Sequence, residues 1–347
     1  MKVLVISHHR EDSGWGRSCR DFLKALNTQV DVVAKPITFQ PSKVDDEIEK
    51  MERNTLSKVT HVVQYVLPKY ISYYNGFEKV VGISLFETQN LNNKIYNQLS
   101  LVDTFWNFGT QDINITNGID VYQAFQPKLD FESINIPEAN GTYKFYVIGE
   151  CIKRKNIHNI IKAYYGAFSI EPVSLIIKSG IPGTNPADSK KYIESIIDQV
   201  KRSCKLYHNL NDYPPIYIIT DRLSDRQIRG LHNYGDCYIN ASYGESICYP
   251  MLEAASFNKS IISTQNKYSE LLANTCLVQG MQERCYGQLN TFPEYNTFKE
   301  IWSSPINFYI EQHMKSCFKN KVPVNYPNLL NLSYEKTGEE YLSLLLS

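Results

Sequence analysis

The sequence carries no excess of either charge, because 36 Lys and Arg side chains balance 36 Asp and Glu side chains among its 347 residues. A chain without net charge has no broad attraction for nucleic acid or anionic membranes, so we expect no nucleic-acid partner. No stretch approaches the roughly 18 apolar residues of a membrane span, and the N-terminal apolar run is shorter than a secretory signal requires. We therefore expect a cytoplasmic protein with no transmembrane segment.

Cysteine pairs are also missing. The eight cysteines are scattered along the chain, and none of them forms a C-x-x-C pair. This spacing argues against a structural zinc site and against a disulfide framework. The length, in contrast, is sufficient for two α/β domains of about 150 to 200 residues each.

Short apolar runs alternate with helical stretches in two separate parts of the chain. The first part predicts strands at Lys2–Ser7, Val30–Ala34, His61–Val66, Lys79–Ser84 and Asp103–Asn107. The second part predicts strands at Lys144–Gly149, Ser174–Ser179, Ile216–Thr220, Cys237–Ala241 and Ser260–Thr264. Strand–helix alternation of this kind indicates parallel sheets joined by right-handed crossovers.

Helix signals and a change of composition complete this outline. The spacing of Phe22, Leu23 and Leu26 predicts a helix after the first strand, and Ser224 with Gln227 has the pattern of a capping box. Residues 126–142 contain two prolines and little periodicity, which is typical of a linker. We predict an N-terminal domain over residues 1–130 and a C-terminal domain over residues 140–332. Residues 334–347 are expected to form an amphipathic helix that packs back on the first domain.

Two glutamates follow the predicted strand that ends at Ala241. Glu245 and Glu253 have seven residues between them, and Pro250 suits the first turn of a helix, where its missing N–H is not needed. Open α/β sheets bind ligands at the carboxyl ends of their strands, and a helix N-terminus there can bind an anion. A carboxylate at Glu253 can accept hydrogen bonds from both hydroxyls of a ribose. Donor contacts are expected from the loop residues Ser246, Ile247, Cys248 and Tyr249.

This segment resembles the E-x7-E motif of the retaining GT-B glycosyltransferases of family four. The resemblance implies two Rossmann-like, doubly wound parallel-sheet domains that face a cleft. It also implies that Glu253 holds the donor ribose and that Glu245 is the catalytic carboxylate beside the transferred sugar. Ser246 and Cys248 stand where the family usually has glycine. The structural alternatives are a loop carboxylate bound to nearby amides for Glu245 and a charge favoured by the helix dipole for Glu253.

A basic segment joins the first strand of the second part to the following helix. Fixed amides and cations before a helix N-terminus suit a diphosphate. The segment resembles the G-R-x4-K-[GN] element of the same family, with Gly149, Lys155 and Asn156 matching and Glu150 in place of the usual arginine. We predict that Gly149, Arg154 and Lys155 contact the donor diphosphate. The alternative is a solvated basic turn.

The loop after the first strand is rich in glycine, which lets a backbone approach a ligand closely. Cys19 stands where a dinucleotide fingerprint would need its third glycine, so the loop argues against NAD binding. It resembles the N-terminal glycine-rich loop of the family, which faces the donor phosphates and the acceptor; a plain turn is the alternative. Acceptor or phosphate contacts are therefore predicted for His8, His9, Gly14, Gly16 and Arg17.

Weaker matches to the family extend along the chain. Gly82–Thr88, Val102–Gly109 and Asn117–Asp120 resemble three of its shorter elements. Glu87, within the first of these, is equally explained as a structural carboxylate. The resemblance covers the chain from Lys2 to about Glu270.

The combined interpretation is a retaining hexosyltransferase that moves a sugar from a UDP- or GDP-sugar to a hydroxyl of a glycan or small-molecule acceptor. The sequence contains no D-x-D motif for a metal-bound diphosphate, and cations with helix dipoles replace the metal in GT-B enzymes, so we expect no metal and no cofactor. The alternatives are a sugar-nucleotide epimerase, a nicotinamide dehydrogenase and a non-catalytic module that binds a nucleotide sugar. The donor base, the acceptor and the oligomeric state stay open.

Overall fold

Parallel sheets dominate the architecture. The computed structural model describes residues 1–39, 41–109, 117–286, 298–321 and 324–347. These residues form two six-stranded sheets, in which every pairing is parallel, and one small antiparallel sheet. The two α/β units predicted from the alternating pattern are confirmed.

The first sheet has the strand order β2-β1-β3-β4-β5-β6. Its strands are β1 (Lys2–Ser7), β2 (Asp31–Pro36), β3 (His61–Tyr65), β4 (Lys79–Ser84), β5 (Thr104–Asn107) and β6 (Gly118–Asp120). Its helices are α1 (Gly14–Asn27), α2 (Asp46–Arg53) and α3 (Asn93–Leu99). Helix α1 begins where the Ser13 side chain accepts a hydrogen bond from the Gly16 N–H at 3.1 Å. Its apolar face, with Phe22 and Leu26, is buried against the sheet.

The second sheet has the order β12-β11-β10-β7-β8-β9. Its strands are β7 (Tyr143–Ile148), β8 (Val173–Lys178), β9 (Ile216–Ile219), β10 (Cys237–Asn240), β11 (Ser260–Thr264) and β12 (Cys276–Val278). The helices around it are α4 (Ile157–Ala167), α5 (Pro186–Cys204), α6 (Asp225–Tyr234), α7 (Tyr249–Ser256), α8 (Lys267–Leu271) and α9 (Asn307–Asn320). Helix α6 begins with the capping box of Ser224 and Gln227, as predicted.

Two further elements lie outside these units. Strands β13 (Gly280–Arg284) and β14 (Ile301–Pro305) form the antiparallel pair, and β14 borders the first unit where Gln89 N donates to Ile301 O at 2.7 Å. The last helix, α10 (Tyr334–Leu346), packs on the core of the first sheet. Tyr341 Oη donates to Tyr122 O at 2.8 Å and accepts from Ala124 N at 2.9 Å. Among the described helices, none combines the length and the apolar character needed to cross a membrane.

Candidate functional site

Each large sheet has a point at which its strand order changes direction. In the second sheet β7 and β10 are neighbours, but the chain leaves them toward opposite edges; β1 and β3 have the same relation in the first sheet. Ligand crevices open at such points, beyond the carboxyl ends of the two strands. The loops that follow β1, β7 and β10 therefore define the candidate site, and they contain most of the residues predicted from sequence.

Glu245 lies in the loop between β10 and α7, and its side chain is only 6% exposed. Lys155 Nζ donates to Glu245 Oε1 at 2.5 Å, and Arg154 Nη1 lies 3.1 Å from the same oxygen. Burial alone would raise the pKa of Glu245, but the charges of Lys155 and Arg154 outweigh it and hold that pKa at about 2. Glu245 is therefore a buried, ionised carboxylate at neutral pH.

Arg154 connects the two α/β units. Its Nη1 donates to Gly244 O at 2.8 Å, and its Nη2 lies 2.6 Å from Oε1 of Glu87, which follows β4 in the first unit. The backbones also approach closely here, because a Cβ at Gly244 would lie 1.8 Å from Glu87 O. Arg154 and Lys155, the residues predicted to contact a diphosphate, are thus paired with carboxylates in this arrangement. The Lys155 side chain runs over Gly149.

Glu253 lies on α7, one turn after Pro250, and is almost completely buried. Arg17 Nη1, from the first unit, donates to Glu253 Oε1 at 2.8 Å, and His232 Nε2 lies 3.3 Å from Glu253 Oε2. Burial opposes ionisation, but Arg17 and His232 hold the pKa of Glu253 at about 2. The guanidinium of Arg17 also lies 4.4 Å above the centre of the Tyr249 ring, a cation–π contact.

The start of α7 has an unusual backbone. Pro250 lies in the first turn, as predicted, and the residue before the helix, Cys248, has a φ of 61°, in the left-handed region. Asn156, at the start of α4, has a φ of 56°. Glycine and asparagine tolerate this region best, which gives a physical reason for asparagine at position 156, whereas Cys248 adopts this conformation without that tolerance. Next to Cys248, Ile247 is buried, and the buried Ser246 Oγ has no partner among the described residues.

The residues predicted in the loop after β1 differ in where they lie, since some are buried within the first unit and one reaches the second unit. Both ring nitrogens of His8 and of His9 are engaged by protein atoms, and burial lowers the pKa of both imidazoles. These two side chains lie inside the first unit, whereas Arg17 reaches across to Glu253. Gly14 begins α1, and Gly16 permits a close approach, because a Cβ there would lie 2.0 Å from Glu11 O.

A small cavity lies between the two units beside Glu245. Glu87 and Gln89 line it from the first unit, and Tyr243, Gly244 and Glu245 line it from the second. The cavity is polar on both sides, so it suits a hydroxyl-rich group better than an apolar one.

His232 is the main contact of the site that the sequence did not predict. It lies on the buried face of α6, within Leu-His-Asn-Tyr, and has no motif around it. Its only sequence signal is a position in an amphipathic helix, which is more typical of a core residue.

Comparisons with known proteins identify the fold. No protein-family model and no curated protein matches the sequence. HepE of Anabaena, solved with UDP and glucose, matches with a TM-score of 0.64 and 11% identity over 100% of this chain and 99% of that one. The lipopolysaccharide outer core galactosyltransferase WaaB matches with a TM-score of 0.65 and 11% identity, again over 100% and 99%. Sucrose-phosphate synthase from Thermosynechococcus elongatus matches with a TM-score of 0.63 and 11% identity over 99% and 98%.

These similarities extend over the whole of each chain, and the two facing parallel sheets are their common architecture. The protein therefore has the GT-B fold of glycosyltransferases, which confirms the fold class expected from sequence. A fold supports many chemistries, so the activity has to be argued from the site.

Proposed function

We propose that this protein is a retaining glycosyltransferase of the family-four type, which transfers a hexose from a UDP- or GDP-sugar to a hydroxyl of a glycan or small-molecule acceptor. One observation carries the proposal. Two buried, ionised carboxylates, Glu245 and Glu253, flank the start of α7 at the point where the strand order reverses. The complexes of HepE with UDP and with UDP-glucose support a nucleotide-sugar donor.

Each carboxylate has a separate role in this proposal. Glu253 accepts hydrogen bonds from the ribose hydroxyls, and in this proposal the ribose replaces Arg17 at Glu253 Oε1. Glu245 lies beside the transferred sugar, in the cavity that it shares with Glu87. A carboxylate there stabilises the positive charge that develops on the sugar as the bond to the diphosphate breaks.

The leaving group is a diphosphate, whose charge must be neutralised as it departs. Arg154 and Lys155 provide two positive charges next to the N-terminus of α4, and the dipole of α7 adds to them. We propose that these groups replace a metal ion. Ordered closure of the two units around the donor then keeps water away from the reacting sugar. We place this reaction in the cytoplasm.

A second candidate is a nucleotide-sugar-binding module without turnover. Arg154 and Lys155 both form ion pairs with Glu245, so the negative charge of Glu245 already compensates part of their positive charge, which would otherwise be available to a diphosphate. A protein of this kind binds the nucleotide but does not transfer the sugar.

Nucleotide binding tests both candidates. We expect one of UDP, GDP, ADP and TDP to raise the melting temperature of the wild type, because a ligand at 100 times its Kd stabilises the folded state by about 2.7 kcal/mol. The same ligand is expected to have much less effect on Glu253→Gln, which keeps the side-chain volume but loses the charge. The matched control is Glu339→Gln, an exposed change on α10. Sugar release from the matching nucleotide sugar separates an enzyme from a binding module, and no response to any nucleotide would contradict both.

A further inference from the structure

His232 lies at the centre of a buried polar chain behind Glu253. Its side chain is completely buried between α6 and α7. One ring nitrogen, Nδ1, lies 2.9 Å from Tyr146 Oη, and the other, Nε2, lies 3.3 Å from Glu253 Oε2. Phe257 is stacked parallel to the ring at 6.2 Å. The imidazole is therefore fixed in orientation by three neighbours, which lie on β7, on α7 and directly after α7.

The neighbours determine which nitrogen carries a proton. An ionised carboxylate only accepts hydrogen bonds, so Nε2 must carry the hydrogen that faces Glu253. In the neutral ring Nδ1 is then an acceptor, and the hydroxyl of Tyr146 donates to it. Burial raises the pKa of Tyr146 well above its ordinary value, so this hydroxyl keeps its proton.

The distance of 3.3 Å between His232 Nε2 and Glu253 Oε2 is longer than that of a strong hydrogen bond. Nε2 forms no hydrogen bond of good geometry among the described residues, although it is completely buried beside the carboxylate. Arg17 holds the opposite oxygen, Oε1, at 2.8 Å. The carboxylate is thus held between one group from the first unit and one from the second. Only His232 belongs to the same unit as Glu253, so only this contact remains when a ribose replaces Arg17.

We propose that His232, oriented by Tyr146, is a positioning residue that fixes the Glu253 carboxylate so that it discriminates a ribose from a deoxyribose. This inference rests on the proposed role of Glu253 toward the donor ribose. A carboxylate oxygen has two lone pairs, so Oε2 can accept from His232 and from one ribose hydroxyl together. Oε1 then accepts from the second hydroxyl. A carboxylate free to rotate would lose the alignment with both hydroxyls, and with it the preference for two hydroxyls over one.

The test compares a nucleoside diphosphate with its 2′-deoxy analogue, using the base selected by the thermal-shift panel. We expect the wild type to bind the ribose form about tenfold more tightly, the effect of one hydrogen bond to a charged group. In Tyr146→Phe and His232→Phe, this ratio of Kd values is expected to fall toward one, mainly through weaker binding of the ribose form. His232→Gln, whose amide can still donate to Glu253, is expected to recover part of the ratio.

The matched control is Tyr164→Phe, which removes another buried hydroxyl of the second unit, one that donates to Pro215 O and does not contact Glu253. It is expected to keep the wild-type ratio. A wild type that discriminates, with both Tyr146→Phe and His232→Phe unchanged in ratio, would overturn the inference and leave the proposed function standing. A wild type that binds no nucleoside diphosphate, or that binds both forms equally, would contradict the role of Glu253 itself.

Discussion

At the scale of single residues, Cys248 has a backbone conformation that its side chain disfavours. Its φ of 61° costs an L-residue about 1 to 2 kcal/mol relative to the right-handed region, and glycine avoids this cost. Cys248 is the third residue after Glu245, where the glycosyltransferase family that this segment resembles usually has glycine. The backbone of this loop is therefore compatible with the family's glycine even though the residue differs.

The strain at Cys248 leads to a prediction about stability. We expect Cys248→Gly to be more stable than Cys248→Ala by about 1 kcal/mol, measured by urea unfolding. Cys237, the first residue of β10 and outside the left-handed region, provides the control. There the order is expected to reverse, with alanine more stable than glycine by about 0.5 to 1 kcal/mol. If alanine were more stable than glycine at position 248 as well, the loop would have adjusted its backbone to remove the strain.

Two other residues of the site make the stability of the protein depend on pH. Glu245 and Glu253 have pKa values of about 2 in the folded protein, against an ordinary value of 4.5. A carboxyl whose pKa is depressed by folding stabilises the fold above its unfolded pKa, and this contribution disappears as the pH falls through the folded value. We expect the free energy of unfolding to fall between about pH 4.5 and pH 2, by up to about 3 kcal/mol for each carboxylate.

Urea unfolding at several pH values checks this expectation. Glu245→Gln and Glu253→Gln are expected to be less stable than the wild type at pH 7, because each leaves a buried cation without its partner. The difference should narrow steadily toward pH 2. A difference that stays constant with pH would mean that the ion pairs contribute little.

The partners of the two glutamates show where sequence reasoning stops. Glu253 and Arg17 are 236 residues apart in the chain, and no local pattern relates them. The sequence indicated both as functional through a resemblance, but in different roles. Their pairing depends on how two sheets face each other, which periodicity and spacing do not specify.

At the scale of elements, the buried strands were the most predictable part. Strands β1, β4 and β11 have the predicted bounds, and others differ by one or two residues, because buried parallel strands are continuous apolar runs. Helix α5 was not predicted, although Asn185 and Pro186 provide a cap and a first-turn proline. The β13–β14 pair was not predicted either, because β13 is mostly exposed and its sequence, GMQER, has no alternation.

Tyr341 is one of the side chains that attach helix α10 to the first unit. Tyr341 is buried in the core of the first sheet, and its hydroxyl bonds to two backbone groups in the segment after β6. We expect Tyr341→Phe to lose about 1 to 3 kcal/mol of stability, because the buried N–H of Ala124 and the partly buried carbonyl of Tyr122 lose their partner. Urea unfolding measures the loss. The matched control, Tyr192→Phe on α5, changes a half-exposed ring and is expected to alter stability by less than about 0.5 kcal/mol.

At the scale of the whole molecule, the two units are joined by contacts of different kinds. Helix α8 donates to the backbone of the first unit, with Lys267 Nζ 2.9 Å from Val121 O and Tyr268 Oη 2.9 Å from Phe108 O. Other contacts are ion pairs, among them those of Arg17 with Glu253 and of Arg154 with Glu87. In the proposed reaction, the diphosphate competes with Glu87 and Glu245 for Arg154, but it does not compete with the contacts of α8.

The position of α10 also has a consequence for synthesis. The first unit is assembled from the beginning of the chain and from its last helix, with the whole second unit made in between. Domains usually fold as they leave the ribosome, in the order of translation. Here part of the core of the first sheet stays uncovered until Tyr341 has been translated. The second unit, which is contiguous, can reach its native packing before the unit that precedes it.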